Sequence, residues 1–267
     1  MSQNAKSRRE RAAEARGAAQ SAEKRRERIV RIAGGVTVVA VMVGIIGVAV
    51  YASNSSDSTS AGGSLAGIVD PDPNAALPDT VFGADSPTPF GVPYGTAAAG
   101  APVLELWEDF QCPACGALEL ANGVGIEQLA EEGKVQLVYR PTAFLDSNLG
   151  NDSSHRAIAA WGCAIDEGFV KEFHQQVYAN QPVEEGSGWA DQELIDLGSN
   201  AGIAGTDLES FTQCVNDGKY LAWAANSTEQ FYINQIPGTP SGFLNGEDVG
   251  TEILADQVRL TELVESK

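Results

Sequence analysis

A chain of 267 residues with 43% hydrophobic side chains can hold one large domain or two small ones around a buried core. Its net charge of −19 is unevenly divided: residues 1–31 carry ten of the 17 Lys and Arg and only four acids, a local +6, which leaves −25 on the rest. A body that acidic repels phosphates, which argues against nucleic-acid binding by the main domain; its simplest consequence is solubility.

In chain order, residues 1–31 read as a basic tail with no chemistry of their own. Residues 32–51 hold no charged side chain and are mostly Val, Ile, Ala and Gly. As a helix at ~1.5 Å per residue, a run of that length crosses the ~30 Å core of a bilayer. Arg25, Arg26, Arg28 and Arg31 precede it and a small, polar stretch follows. The positive-inside rule then keeps the tail cytoplasmic and exports the body. A cleaved signal peptide is the competing reading, but the apolar run exceeds the usual ~7–15 residues of one. Residues 52–98 are rich in Ser, Gly, Pro, Asp and Ala and read as an extracytoplasmic linker. Its end, with Val81, Phe82, Phe90, Val92 and Tyr94, is apolar enough to lie against the domain or form an edge strand.

The domain proper is expected over 99–267. A strand is expected at 102–107, a helix at 115–132 ending before Gly133, and a strand at 134–140 stopped by Pro141. Residues 151–232 have helical periodicity throughout. A strand at 242–244 leads into Asn245-Gly246, a strong hairpin-turn signal, and one helix closes the chain over 251–265. The order β-α-β, helical block, β-β-α describes an α/β frame interrupted by a helical insertion.

Four cysteines are too few for a disulfide-stapled miniprotein. Cys112 and Cys115 are separated by Pro113 and Ala114, whereas Cys163 and Cys214 stand alone in helical segments. The pattern suggests one reactive pair and one structural bridge, and a bridge requires an oxidising compartment. A second redox pair is the other reading of Cys163 and Cys214, but neither sits at a strand-to-helix junction.

Cys112 does sit at such a junction. Unpaired N–H groups and the helix dipole there favour a thiolate, and Pro113 suits a first turn that needs no donor. Cys115, one turn on, points inward as the resolving thiol. In the oxidised pair a substrate thiolate attacks Cys112, and the mixed disulfide then passes to the substrate's second thiol. Zinc ribbons also use C-x-x-C, but there is no second such pair and no His pair at ligand spacing, so no metal site is expected. Haem attachment would need His where Gly116 stands. No Gly-rich phosphate loop is present, and no cofactor is expected.

The segment 107–115, Trp-Glu-Asp-Phe-Gln-Cys-Pro-Ala-Cys, resembles the active-site segment of DsbA-like thiol:disulfide oxidoreductases, especially membrane-anchored actinobacterial forms. The resemblance continues through Ser154-His155-Arg156-Ala157, Gly162-Cys163-Ala164, Ile236-Pro237-Gly238-Thr239-Pro240 and Phe243-Leu244-Asn245-Gly246, covering about residues 100–265. It implies a thioredoxin-like fold and a cis Thr239–Pro240 bond facing the cysteines, where the Thr239 backbone would pair with a substrate peptide. It also implies exported unfolded proteins as substrates and a quinone-linked membrane reoxidase, DsbB- or VKOR-like, as partner. Two positions depart from the pattern. Ala114 replaces a His that would stabilise the thiolate, and Leu106 stands where a strand Glu is common. Glu105, Glu108 and Asp109 are candidates for a substitute carboxylate, although each is expected to be solvated or at a strand end. His155 and His174 are expected in packing or surface roles, and Trp161, Trp223, Phe231 and Tyr232 as core or groove lining. The leading function is an extracytoplasmic disulfide-forming enzyme. A reductase or isomerase using the same cysteines, and a non-catalytic binding or chaperone module, remain as alternatives.

Overall fold

The computed structural model describes residues 68–184 and 186–267. The expected tail, the membrane helix at 32–51 and the first part of the linker lie outside the described residues. Among the described residues no helix is long and apolar enough to cross a membrane.

A five-stranded sheet in the order β1-β3-β2-β4-β5 forms the frame: β1 (Val92–Tyr94), β2 (Val103–Glu108), β3 (Gln136–Pro141), β4 (Ser241–Leu244) and β5 (Glu247–Val249). The central pair β2/β3 is parallel, from Val103↔Gln136 to Glu108↔Pro141, and the other pairings are antiparallel. A parallel pair needs a crossover, supplied here by α1 (Pro113–Leu118), a π-helical turn (Glu119–Gly123) and α2 (Val124–Glu131). Central strands covered on both faces need apolar residues at successive positions. β3 accordingly buries Leu137 to Pro141, and β2 buries Leu104, Leu106 and Trp107.

Register decides where the functional segments meet. Trp107 pairs with Ser241, so Pro240, one residue before Ser241, lies beside the end of β2 from which the chain runs to Cys112. Asn245-Gly246 turns the β4/β5 hairpin, both residues with positive φ, as the sequence signal required.

Between β3 and β4 lies the helical block: α3 (Phe144–Leu149), α4 (Ser153–Asp166), α5 (Val170–Ala179), α6 (Asp191–Ala201), α7 (Thr206–Asn216) and α8 (Leu221–Ile233). α4 is its central helix, buried on nearly every side from Ser153 to Ile165. Cys163 on α4 is disulfide-bonded to Cys214 on α7, with the Cα atoms 5.8 Å apart. Trp161, Trp223 and Phe231 are buried, whereas Tyr232 is 55% exposed and lies outside the core.

Three expectations need correction. Residues 68–80 are held by the domain rather than serving as linker, while the apolar end of the stretch lies against the domain and forms an edge strand, as expected. Asn226 exchanges two hydrogen bonds with the Asp72 backbone at 2.9 and 2.7 Å, Phe90 and Val92 are buried, and β1 completes one edge of the sheet. The helix expected over 115–132 starts two residues earlier and contains the π-helical turn, invisible to a 3.6-residue periodicity. The single closing helix is two, α9 (Thr251–Leu254) and α10 (Gln257–Glu265). Asp256 ends the first by capping the second, accepting from Val258 and Arg259 N–H at 3.0 and 3.1 Å.

Candidate active site

The loop Asp109-Phe110-Gln111 is fixed by a buried polar network before it reaches the cysteines. Asp109 accepts from Ser154 Oγ at 2.5 Å, Gln111 N–H at 2.9 Å and Leu145 N–H at 3.1 Å. Burial, only partly offset by those bonds, lifts its carboxyl to about 7. Gln111 Nε2 donates to Asp146 at 2.6 Å, and Asp146 also takes the His155 N–H and meets His155 Nδ1 at 2.8 Å. His155 therefore orients this network from the start of α4.

Cys112 is the N-cap of α1 and Pro113 its first residue. The Cys112 carbonyl accepts from Cys115 and Gly116 N–H, each at 3.1 Å, which sets the first turn. Both cysteines are thiols in the structure. The Cys112 sulfur faces the Thr239 carbonyl at 3.4 Å, and Thr239–Pro240 is cis. The strand register thus brings residues 127 positions apart into contact.

The two thiols differ in acidity. Cys112 is lowered to about 6, mainly by the hydrogen bond from the Cys115 thiol, then by Thr239 and the N–H groups of Cys115 and Ala114, against the cost of burial. Cys115 is fully buried and pushed well above an ordinary thiol, first by burial and then by Cys112 and the charge of Glu108. A low-pKa outer thiol and a high-pKa inner one form an attacking and leaving group backed by a resolving thiol. Ala114 contributes its backbone N–H and no side-chain donor.

Gln181, just after α5, holds the loop from outside. Its Nε2 donates to the carbonyls of Phe110 and Cys112 at 2.7 and 2.9 Å. Gly116 makes room for it, because a Cβ there would lie 2.4 Å from Gln181 Oε1. Nothing in the sequence marked Gln181, since its partners are backbone atoms some 70 residues away.

The candidate carboxylates divide. Glu105 stays half-exposed and lies 3.6 Å from Arg140, whose guanidinium covers Trp107 at 4.4 Å. Glu108 and Asp109 are buried, which corrects the expectation of solvated strand-end acids. Alternation along a strand puts Glu108 on the same face as Leu106, one pleat nearer the cysteines. There burial raises its pKa well above that of an ordinary carboxyl. His174 is also buried, lowered by desolvation, with Nε2 3.2 Å from Glu108 and Nδ1 4.0 Å from Glu119. Glu108 and Glu119 have carboxyl oxygens within 4.8 Å of each other, and Glu119 is pushed up to about 8, first by burial and then by the neighbouring Glu108.

Among the described residues, Glu108, Glu119 and His174 are also the one group with three ligand-type atoms mutually within 4.8 Å. Their proximity makes them an acid–imidazole cluster, joined by the Glu108–His174 contact at 3.2 Å. Glu119 was missed in sequence, although its place four residues after the inward-facing Cys115 marks it as a polar side chain on a buried helix face.

The chain belongs to the thioredoxin family, whose family model, described as thioredoxin, matches residues 89–264. Within that family it is DsbA-like. Among solved structures it is similar to the oxidised DsbA of Mycobacterium tuberculosis, with 26% identity and a TM-score of 0.56 over 66% of this chain and 91% of that one. MdbA, a thiol-disulfide oxidoreductase from Actinomyces oris, shares the fold at 24% identity and a TM-score of 0.61, covering 76% and 98%. Oxidised BdbD from Bacillus subtilis shares it at 18% identity and a TM-score of 0.53, covering 64% and 90%. Comparison with curated protein sequences finds no match.

Proposed function

We propose that this chain is a thiol:disulfide oxidoreductase that introduces disulfides into exported proteins through Cys112-Pro113-Ala114-Cys115. The observation that carries the reading is the asymmetric pair: a Cys112 thiol lowered to about 6 at a helix N-cap, against a buried Cys115 raised well above the ordinary range. At neutral pH Cys112 is mostly thiolate and so a good leaving group in a mixed disulfide. The Thr239 backbone beside its sulfur offers an edge on which an extended substrate segment can pair.

In the oxidised enzyme a substrate thiolate attacks Cys112 and releases Cys115. The substrate's second thiol then displaces Cys112, leaving the substrate oxidised and the enzyme reduced by two electrons. A quinone-linked membrane reoxidase, DsbB- or VKOR-like, closes the cycle. The Cys163–Cys214 disulfide supports an oxidising compartment, and the apolar run at 32–51 supports an anchored, extracytoplasmic domain. The likeness to DsbA supports oxidation as the direction.

The test is oxidation of a reduced, unfolded dicysteine substrate by the oxidised protein. Wild type is expected to oxidise it stoichiometrically and Cys112→Ser not at all, while reduced Cys115→Ser, given the substrate in its disulfide form instead, should accumulate a mixed disulfide at Cys112. Full activity in Cys112→Ser would remove the catalytic reading and favour a binding module.

A further inference from the structure

Releasing Cys115 poses a proton problem that the cysteines do not solve. It leaves as a thiolate in a fully buried place, beside a carboxyl group, where a charge is costly. Glu108 is the neighbouring acid, but it too is buried, with one carboxyl oxygen lacking any partner. A proton passed between those two must still exchange with water.

The route outward is built from one feature of the crossover helix. At Glu119 the helix widens into the π-helical turn Glu119–Gly123, a deviation often found at functional sites. The Glu119 side chain folds back over Gly123, where a Cβ would sit 2.2 Å from Glu119 Oε2. Inward, a Glu119 carboxyl oxygen lies within 4.8 Å of one of Glu108; outward, Glu119 lines a groove with Pro113, Ala117, Leu120 and Gln175. His174 braces both acids, 3.2 Å from Glu108 and 4.0 Å from Glu119. The Oε1 atoms of Glu108 and Glu119 and His174 Nδ1 are all buried without a hydrogen-bond partner in the protein.

We propose that Glu119, held by Gly123 and the π-helical turn, carries the proton between the groove and Glu108, and so between solvent and Cys115. The inference rests on the oxidoreductase reading. When the Cys112–Cys115 bond breaks and the Cys112–substrate bond forms, Cys115 takes a proton from Glu108, Glu119 restores it to Glu108, and groove water restores it to Glu119. Reoxidation runs the proton the other way. Glu119 acts through Glu108 and is a positioning residue. Its pKa of about 8 lets it both give and accept a proton near neutral pH. The other groups facing the pair are Glu127 on α2, Tyr139 on β3, His174 and Tyr178 on α5, and the two cysteines. Each of the tyrosines is raised well above 10 by burial, so both stay neutral here.

The experiment is single-turnover reduction of the oxidised full-length protein by dithiothreitol, followed by quenching and alkylation from pH 5.5 to 9. Glu119→Gln is expected to slow the step at least ~tenfold at pH 7, below the full effect of a positioned acid because Glu108 remains. It should also erase the limb of the pH profile near 8, with the Cys112 thiolate still titrating near 6. Gly123→Ala, whose Cβ displaces the Glu119 carboxylate, should reproduce that profile. A second readout is the redox-difference infrared spectrum, where Glu119→Gln should remove one protonated-carboxyl band. Wild-type profiles and an unchanged spectrum in both variants would overturn the relay and leave the oxidoreductase reading intact. Failure of the wild type itself to exchange thiols would instead overturn that reading.

Discussion

Lowering the Cys112 thiol makes the stability of the reduced protein depend on pH in a definite direction. The thiol falls from 9.0 to about 6 on folding, so the folded state binds fewer protons than the unfolded chain between those values. Stability from this group is therefore fully present above about pH 9 and is lost as pH falls through 6. Three pKa units correspond to about 4 kcal/mol over the whole window, of which about 1.4 kcal/mol is in place at pH 7. The oxidised protein has no thiol to titrate and lacks this contribution. Urea unfolding of the reduced protein at pH 5.5, 7 and 8.5, for wild type and Cys112→Ser, reads it as the pH-dependent difference between the two proteins. The wild-type advantage should grow with pH, and thiolate absorbance at 240 nm should rise with a midpoint near 6. A constant difference between the two proteins, or a midpoint near 9, would refute the reasoning.

Further outcomes follow from the same contacts. Gln181→Ala removes two hydrogen bonds to the active-site loop and should cost about 1–2 kcal/mol in denaturant unfolding. Gly116→Ala should cost a similar amount by pushing the Gln181 amide away, yet add little in a Gln181→Ala background; additive costs would show that the two do not share one contact. Replacing Cys163 and Cys214 together by Ala opens a loop of 51 residues and should cost about 4 kcal/mol, with the 240 nm titration of Cys112 unmoved. A shifted titration would instead join that disulfide to the redox site.

The features legible in the sequence were local or carried by a rare residue. Cys112 before a Pro-initiated helix and Asn245-Gly246 between short strands each announce a backbone geometry within a few residues, whereas the cis Thr239–Pro240 bond before β4 was implied by the family resemblance. The pairing of Cys163 with Cys214 was suggested by elimination among four cysteines. What stayed hidden depends on distant partners. Glu108 sits at the end of β2 and reads as a solvated acid until α5 brings His174 against it from 66 residues away. Gln181 acts only on carbonyls, which every residue has. The attachment of residues 68–80 rests on hydrogen bonds such as Asp72 to Asn226, 154 residues apart, in a stretch whose composition alone suits a linker. The π-helical turn at Glu119 breaks the very periodicity used to find the helix. The inward placement of Glu108 was recoverable in principle, because Leu106 and Glu108 share a strand face.

The account rests on Cys112 and Cys115 forming a redox couple poised to oxidise, and the reduction potential of that couple tests it most directly. Equilibration of the full-length protein with glutathione buffers at pH 7, read by alkylation and mass, gives the value. A Cys112 thiol near 6 stabilises the reduced form, while Ala114 supplies no side-chain donor. The potential should therefore lie between those of thioredoxin, about −270 mV, and DsbA, about −120 mV. A potential at or below the thioredoxin value would contradict the oxidase and turn the same site into a reductase.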